Sequence, residues 1–211
     1  MRSPQKHRSS SFSKPLVRAA ILAATGNGNK LRKHLSAPAT RKLRMAKLAE
    51  AILEVHLFAG FPASIEAMFI LHESRPGSRI GRLRPSRGAY QAGVSLMRKV
   101  YGRNYPKVLR ALTRLSPDLA SWIVNYGYGT VLSRRRLTLR ERELVAIGVL
   151  AALGWERQLR SHIMGARALR IPASQVRSAL SLARAYLPAH RQGFQNVMIQ
   201  RLAGELKGKR A

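Results

Sequence analysis

Two side chains flank Gly154 at spacings that suit proton chemistry. Glu143 lies 11 residues before this glycine and His162 lies 8 after it. If both flanks are helical, the rise of 1.5 Å per residue puts the carboxylate roughly 16 Å from the turn and the imidazole roughly 12 Å. In an antiparallel pair of helices the two groups stand near one level. Facing the seam, they can share a proton in a poorly hydrated place, which is an arrangement for general acid–base work. The alternative stays open: Glu143 pairs with Arg140 or Arg142 on a wet face and His162 merely packs. Arg134-Arg135-Arg136 precedes this stretch, and Arg142 and Arg160 are close by. A guanidinium fork suits a carboxylate or a phosphate, although solvated surface charge explains most such arginines.

Other chemistries lack their residues. The chain has no cysteine, so disulfides, thiol peroxidase chemistry, Cys-ligated zinc and iron–sulfur clusters are excluded. Its single aspartate is Asp118 and its other acids are eight glutamates, a poor supply for aspartate dyads or carboxylate metal cages. None of the six histidines forms a helical His-x-x-x-His pair, and no metal site is expected. Gly26-Asn-Gly-Asn29 is glycine-rich, but it lacks both the strand-then-helix setting and the Lys-Ser/Thr of a phosphate loop. No cofactor is called for.

The elements that must position these residues read as helices throughout. Leu16, Ala20, Ala23 and Ala24 share a face until Gly26 stops the run. Residues 45–58 form a second helix with Leu48, Ile52 and Val55 on one side. Gly60-Phe61-Pro62 breaks it, and Pro62 opens a helix carrying Ile65, Met68 and Phe69. Helices are expected over 89–101 and 105–115. Ser116-Pro117-Asp118 is a cap, a first-turn proline and a first-turn acid, starting a helix that Tyr126-Gly-Tyr-Gly129 should end. Thr138-Leu-Arg-Glu141 is a capping box opening a helix that runs to Gly154. Further helices span about 155–169, 172–186 and 190–206. Alternating strand patterns are nearly absent, so the fold class is all-α. The longest apolar run, Leu144 to Trp155, falls short of the about 20 residues that span a bilayer.

Part of the chain resembles another part of it. Leu22 to Leu35 aligns with Leu150 to Ile163 without gaps, with seven of fourteen positions identical. Gly26, Leu31-Arg32 and His34 fall on Gly154, Leu159-Arg160 and His162, and in the same register Phe58 falls on Tyr186. Duplication is the better explanation than chance likeness between Ala/Leu-rich helices. The expected organisation is a flexible basic arm (1–14), a first partial repeat (15–73), a basic Pro/Gly-rich linker (74–88), a second, more complete repeat (89–206) and a basic tail (207–211).

Four stretches in order carry a family resemblance: Ser116-Pro-Asp-Leu-Ala-Ser-Trp122, Tyr126-Gly-Tyr-Gly-Thr-Val-Leu-Ser-Arg134, Leu137-Thr-Leu-Arg-Glu-Arg-Glu143-Leu and Gln158-Leu-Arg-Ser-His162-Ile-Met-Gly-Ala166. Together they resemble the carboxymuconolactone decarboxylase family, which shares its helical fold with the alkylhydroperoxidase-D-like proteins. His56-Leu-Phe-Ala-Gly-Phe-Pro62 is similar to the aromatic-Ala-Gly-x-Pro segment that closes a family unit. The resemblance covers about residues 16–73 and 89–200. The peroxidase branch places a Glu, two Cys and a His at set spacings. Glu143 and His162 match its outer members, while Trp155 and Gln158 stand where the cysteines would be, which removes that activity. The decarboxylase branch needs no cysteine. Resemblance to it implies His162 as proton donor or acceptor, Glu143 as its partner, and Arg134 or Arg142 as carboxylate anchors. The implied substrate is a small carboxylated unsaturated lactone. His56, Phe58 and Phe61 from the first copy would wall a composite site, with Trp155 beside it. The first copy has Pro15 where the second has Glu143, so His34 has lost its acid partner. Family members usually assemble as rings, so a homo-oligomer is expected.

Charge sets the rival reading. Lys and Arg number 39 against 9 acids, a formal net charge of +30. No acid occurs before Glu50 or between Glu73 and Asp118. So positive a surface repels itself unless anions neutralise it. Nucleic acid, another polyanion or an anionic membrane surface could do so, although no recognisable nucleic-acid motif occurs. The two functional classes are therefore a cofactor-independent lyase and a non-catalytic binder of nucleic acid or another polyanion. A cytoplasmic location is expected.

Overall fold

A computed structural model describes residues 12–83, 88–187 and 192–206. Residues 1–11 of the expected arm, 84–87 of the linker, 188–191 at the start of the last helix and the 207–211 tail lie outside the described residues. The order is α1 (Lys14–Ala24), α2 (Gly28–Ser36), α3 (Pro38–Arg41), α4 (Met45–Glu54), α5 (His56–Ser74), α6 (Ala89–Tyr101), α7 (Tyr105–Leu115), α8 (Pro117–Trp122), a π-helical segment (Ile123–Leu132), α9 (Leu139–Leu153), α10 (Glu156–Ala168), α11 (Ala173–Arg184) and α12 (Gln192–Glu205). A single 3₁₀ turn, Gly102–Asn104, joins α6 to α7. No strand occurs among the described residues, and the fold is all-α.

Helix α9 is the axis of the molecule. Every residue from Arg142 to Ala152 is buried, as expected of a helix wrapped on all sides. Helices α1, α10 and α11 pack around it, and α4 and α5 extend the layer beside α1. The α1–α9 contact is close because residue 148 is glycine: a Cβ there would lie 2.7 Å from Val17 Cγ1 and 3.1 Å from Ile21 Cδ1. One apolar core joins α1, α2, α4 and α5 to α9–α12, with Leu16, Ile21, Leu48, Ile52, Ile147 and Leu150 fully buried. A smaller cluster holds α6, α7 and the π-helical segment together through Met97, Val100, Tyr105, Val124 and Tyr128.

Local signals act where the sequence places them. Thr138 and Glu141 form a reciprocal capping box at the start of α9, and Gly154 ends that helix in the left-handed region at φ 81°. The Ser116 hydroxyl accepts from the Leu119 amide and starts α8. Gly60, at φ 83° and ψ 166°, kinks α5 just before Pro62. Some segments differ from expectation. The helix expected over 45–58 ends at Glu54, and His56 already opens α5. Tyr126-Gly-Tyr-Gly129 does not end the helix begun at Pro117, because the chain continues in wide π turns to Leu132. Packing overrides the poor helix propensity of glycine at this point. A Cβ on Gly129 would lie 2.0 Å from the Ala89 carbonyl oxygen, and one on Gly93 would lie 2.0 Å from that of Val124. These glycines let α6 and the π-helical segment touch backbone to backbone. Gly26-Asn-Gly-Asn29 is a helix start, where the Asn27 side chain accepts from the Lys30 amide and opens α2.

Candidate active site

The antiparallel α9–α10 pair brings Glu143 and His162 together. His162 Nδ1 lies 3.0 Å from Glu143 Oε2, with side-chain exposures of 11% and 8%. Glu143 makes no ion pair with Arg140 or Arg142. Gly165, one turn along α10 from His162, makes room for the carboxylate: a Cβ there would lie 3.2 Å from Glu143 Oε2. The Phe58 ring meets the imidazole edge-on, centroids 5.8 Å apart. Burial works to lower the His162 pKa, but the charge and hydrogen bond of Glu143, helped by the charge of Glu54, outweigh it and leave the imidazole more basic than usual.

A buried ionic chain backs this pair. Arg142 donates to Glu50 Oε1 and to Glu54 Oε2 at 2.8 Å each, and to the Arg134 carbonyl at 2.6 Å. Arg134 donates to both oxygens of Glu50, at 2.8 and 3.1 Å. Burial would raise the Glu50 pKa, but the two guanidinium groups hold its carboxyl below the usual range. Glu54 is different. It is fully buried and its Oε1 has no hydrogen-bond partner. Burial pushes its pKa up to about 7 against the pull of Arg142, and the nearby Glu143 charge adds to the rise. Tyr128 shares the crevice, its phenol bonded at 2.8 Å to that of Tyr101. Burial raises the Tyr128 pKa well above the ordinary value.

The expected site residues divide between two places. Glu143 and His162 share a crevice with Glu54, Tyr128 and Arg142 whose free space is only about 10 Å³, barely enough for one water. Phe58 touches this pair, whereas His56, Phe61 and Arg134 line a separate cleft of about 460 Å³. There His56 stacks on Phe61 with centroids 4.8 Å apart, and Tyr126 Oη lies 2.9 Å from His56 Nε2. Neither Arg134 nor Arg142 is a free anchor, since both are committed to Glu50. Trp155 is 58% exposed at the α9–α10 turn, roughly 10 Å along the helix from His162. Arg160 is occupied by Glu156 and Glu205. Sequence reasoning missed Glu50 and Glu54. Their four-residue spacing on one face of α4, beside apolar Leu48 and Ile52, was the available signal. His34 Nε2 lies 2.8 Å from the Pro15 carbonyl oxygen, a backbone group rather than a carboxylate. Burial, with Arg18 nearby, lowers the His34 pKa despite that bond. No group of three or more metal-ligating side chains occurs among the described residues.

The all-α fold agrees with the class that the motifs suggested. The model of the carboxymuconolactone decarboxylase family matches residues 117–194, a span that includes both Glu143 and His162. Peroxisomal protein 2 of Schizosaccharomyces pombe is 30% identical over 142 residues, covering 65% of this chain and 67% of that protein. The 4-carboxymuconolactone decarboxylase of Acinetobacter baylyi is 35% identical over 75 residues, covering 35% of this chain and 56% of that enzyme. The chain belongs to the carboxymuconolactone decarboxylase family.

Proposed function

We propose that the chain is a cofactor-independent lyase that uses His162 and Glu143 to move a proton on a small carboxylated lactone. The observation that carries this reading is the 3.0 Å contact between a nearly buried imidazole and a nearly buried carboxylate. Glu143 accepts from Nδ1–H, which fixes the tautomer and leaves Nε2 to exchange a proton with substrate. In the reaction, the bond to the substrate carboxylate breaks and CO₂ leaves. The electron pair passes into the conjugated lactone, and His162 supplies the proton that closes the product. The crevice is smaller than any substrate, so its walls must move apart before one enters. Arg142 positions Glu54 and Glu50 behind the pair rather than holding substrate. The name of the Acinetobacter relative gives the assay: 4-carboxymuconolactone is incubated with wild type and with His162→Ala. Turnover by wild type, lost at least a hundredfold in the variant, supports the reading. Persistence of the lactone with both proteins removes it.

A second reading, a non-catalytic binder of nucleic acid or another polyanion, is favoured by one surface. Arg103 in the 3₁₀ turn and Lys107, Arg110 and Arg114 along α7 are all exposed, and the stretch from 74 to 117 has no acid. Co-purification of nucleic acid that survives moderate salt but not nuclease would favour it. Assembly into a homo-oligomer belongs to the enzyme reading, with exposed Leu115, Leu119 and Trp122 as the apolar surface for it; sedimentation tests this. No helix among the described residues is long and apolar enough to cross a membrane. The sequence suggests the cytoplasm and the name of the yeast relative suggests peroxisomes, which imaging of a tagged chain separates. Duplication is part of the same reading. The offset that aligns the two copies carries the start of α2 onto that of α10 and the start of α4 onto that of α11. It also carries the His34–Pro15 contact onto the His162–Glu143 contact.

A further inference from the structure

The large cleft takes no part in the proton transfer at His162, and its walls define what it would hold. It lies between α5 and the π-helical segment, with Leu53, Ile65, Met68, Phe69 and Val131 as its apolar surface. Its volume of about 460 Å³ falls in the range of ligand pockets, about 300–1,000 Å³. Six polar side chains also line it, and four of them are satisfied within the protein: Ser64 donates to the Ile52 carbonyl, Thr130 donates to the Asn125 carbonyl, and His56 and Tyr126 pair with each other. His56 Nδ1–H donates to the Leu53 carbonyl. Nε2 is therefore the acceptor of the Tyr126 hydroxyl proton at 2.9 Å, which leaves the exposed His72 imidazole and the remaining Arg134 N–H groups as the donors of this wall. A carboxylated lactone, polar around its edge, would find few partners along it, whereas a hydrocarbon would lose nothing.

The cleft changes character at one end. Leu53, Met68 and Arg134 are shared with an adjoining cavity of about 370 Å³. That second cavity is walled by Arg82, Arg134 and Arg136, with Glu50 as its acid. Glu50 is already divided between Arg134 and Arg142, so the junction carries net positive charge. An apolar chamber opening onto unbalanced guanidinium groups is complementary to a molecule with a hydrocarbon body and one anionic end.

We propose that this cleft binds a small apolar carboxylic acid, its hydrocarbon body between α5 and the π-helical segment and its carboxylate at Arg82 and Arg136 of the adjoining cavity. The site is separate from the His162–Glu143 crevice and goes beyond the lyase reading.

The test is isothermal titration of the full chain with decanoate and with decanol at physiological salt. Decanoate binds one per chain, at least tenfold tighter than decanol. Ile65→Glu, at a position 51% exposed in the apolar wall where the fold tolerates a charge, weakens decanoate at least tenfold. Arg136→Gln narrows the gap between acid and alcohol to less than threefold. His162→Ala leaves binding unchanged, so failure of the lyase assay and failure of this site are told apart. Equal affinity for acid and alcohol, or decanoate binding indifferent to Ile65→Glu, overturns the proposal. Sedimentation of the same two proteins supplies the remaining outcome: self-association abolished by Ile65→Glu makes this face an interface between copies and overturns it as well.

Discussion

Arg142 is the side chain on which the candidate site's electrostatics turn. It is buried among Glu50, Glu54 and the Arg134 carbonyl, so deleting it leaves Glu54 in the interior without its counter-charge and Glu50 with Arg134 alone. Breaking a buried pair from one side costs about 3–5 kcal/mol, and Arg142→Met should lower unfolding free energy by that order in urea titrations. Glu54 gives a pH signature. Its folded-state pKa of about 7 lies above its ordinary value, so its contribution is fully present below about pH 4.5 and is lost as pH rises through about 7. His162, also raised, contributes stability that is present below its ordinary value and lost at higher pH. Glu50 and Glu141, both lowered, act in the opposite sense and lose their contribution as the solution is acidified. Stability should therefore fall between about pH 5 and pH 8, and Glu54→Gln should flatten most of that slope. Denaturation midpoints across this range check it, and an unchanged slope in the variant would mean that Glu54 does not set the pH dependence.

Helix packing decides which glycines matter. Gly129 and Gly127 lie in the same π-helical segment, yet a Cβ at 129 meets the Ala89 carbonyl at 2.0 Å and one at 127 meets nothing within 4 Å. Gly129→Ala should cost about 3 kcal/mol or more, whereas Gly127→Ala should be neutral or stabilising by under about 1 kcal/mol. Thermal melts of the two variants compare them directly. The same contrast marks how far the elements are legible in sequence. Caps act through their nearest neighbours, so Ser116, Thr138 with Glu141, and Gly154 can be read from a few residues. The Glu143–His162 approach was legible too, because a short turn fixes the register of two helices. The π-helical segment was not, because what keeps Tyr126-Gly-Tyr-Gly129 helical is the backbone of α6, distant in sequence. Glu50 and Glu54 were hidden for the same reason: their partner Arg142 lies on another helix 88 residues or more away, and no local pattern chooses it over 38 other cations. Nor does sequence reveal that the 56–61 segment serves two cavities, with Phe58 turned to one and His56 and Phe61 to the other.

Over the whole molecule, charge and core pull in opposite directions. The apolar core is continuous between the first and last helices, while a net charge of +30 repels itself across a small body. Most of the nine acids are drawn into ion pairs, several of them interior, which leaves the surface less balanced than the composition suggests. Salt should therefore stabilise the fold, because the screening length shortens to about 8 Å near physiological ionic strength. The melting temperature should rise from low to moderate sodium chloride, and more steeply with sulfate. A flat or falling response would mean that the cations are already neutralised within the chain.

The measurement closest to the central claim is a pH titration of the His162 imidazole by NMR, in wild type and in Glu143→Gln. A proton shared across the α9–α10 seam predicts a midpoint above the ordinary 6.5 in wild type that drops on losing the carboxylate. A midpoint at the ordinary value, unmoved by Glu143→Gln, would contradict it.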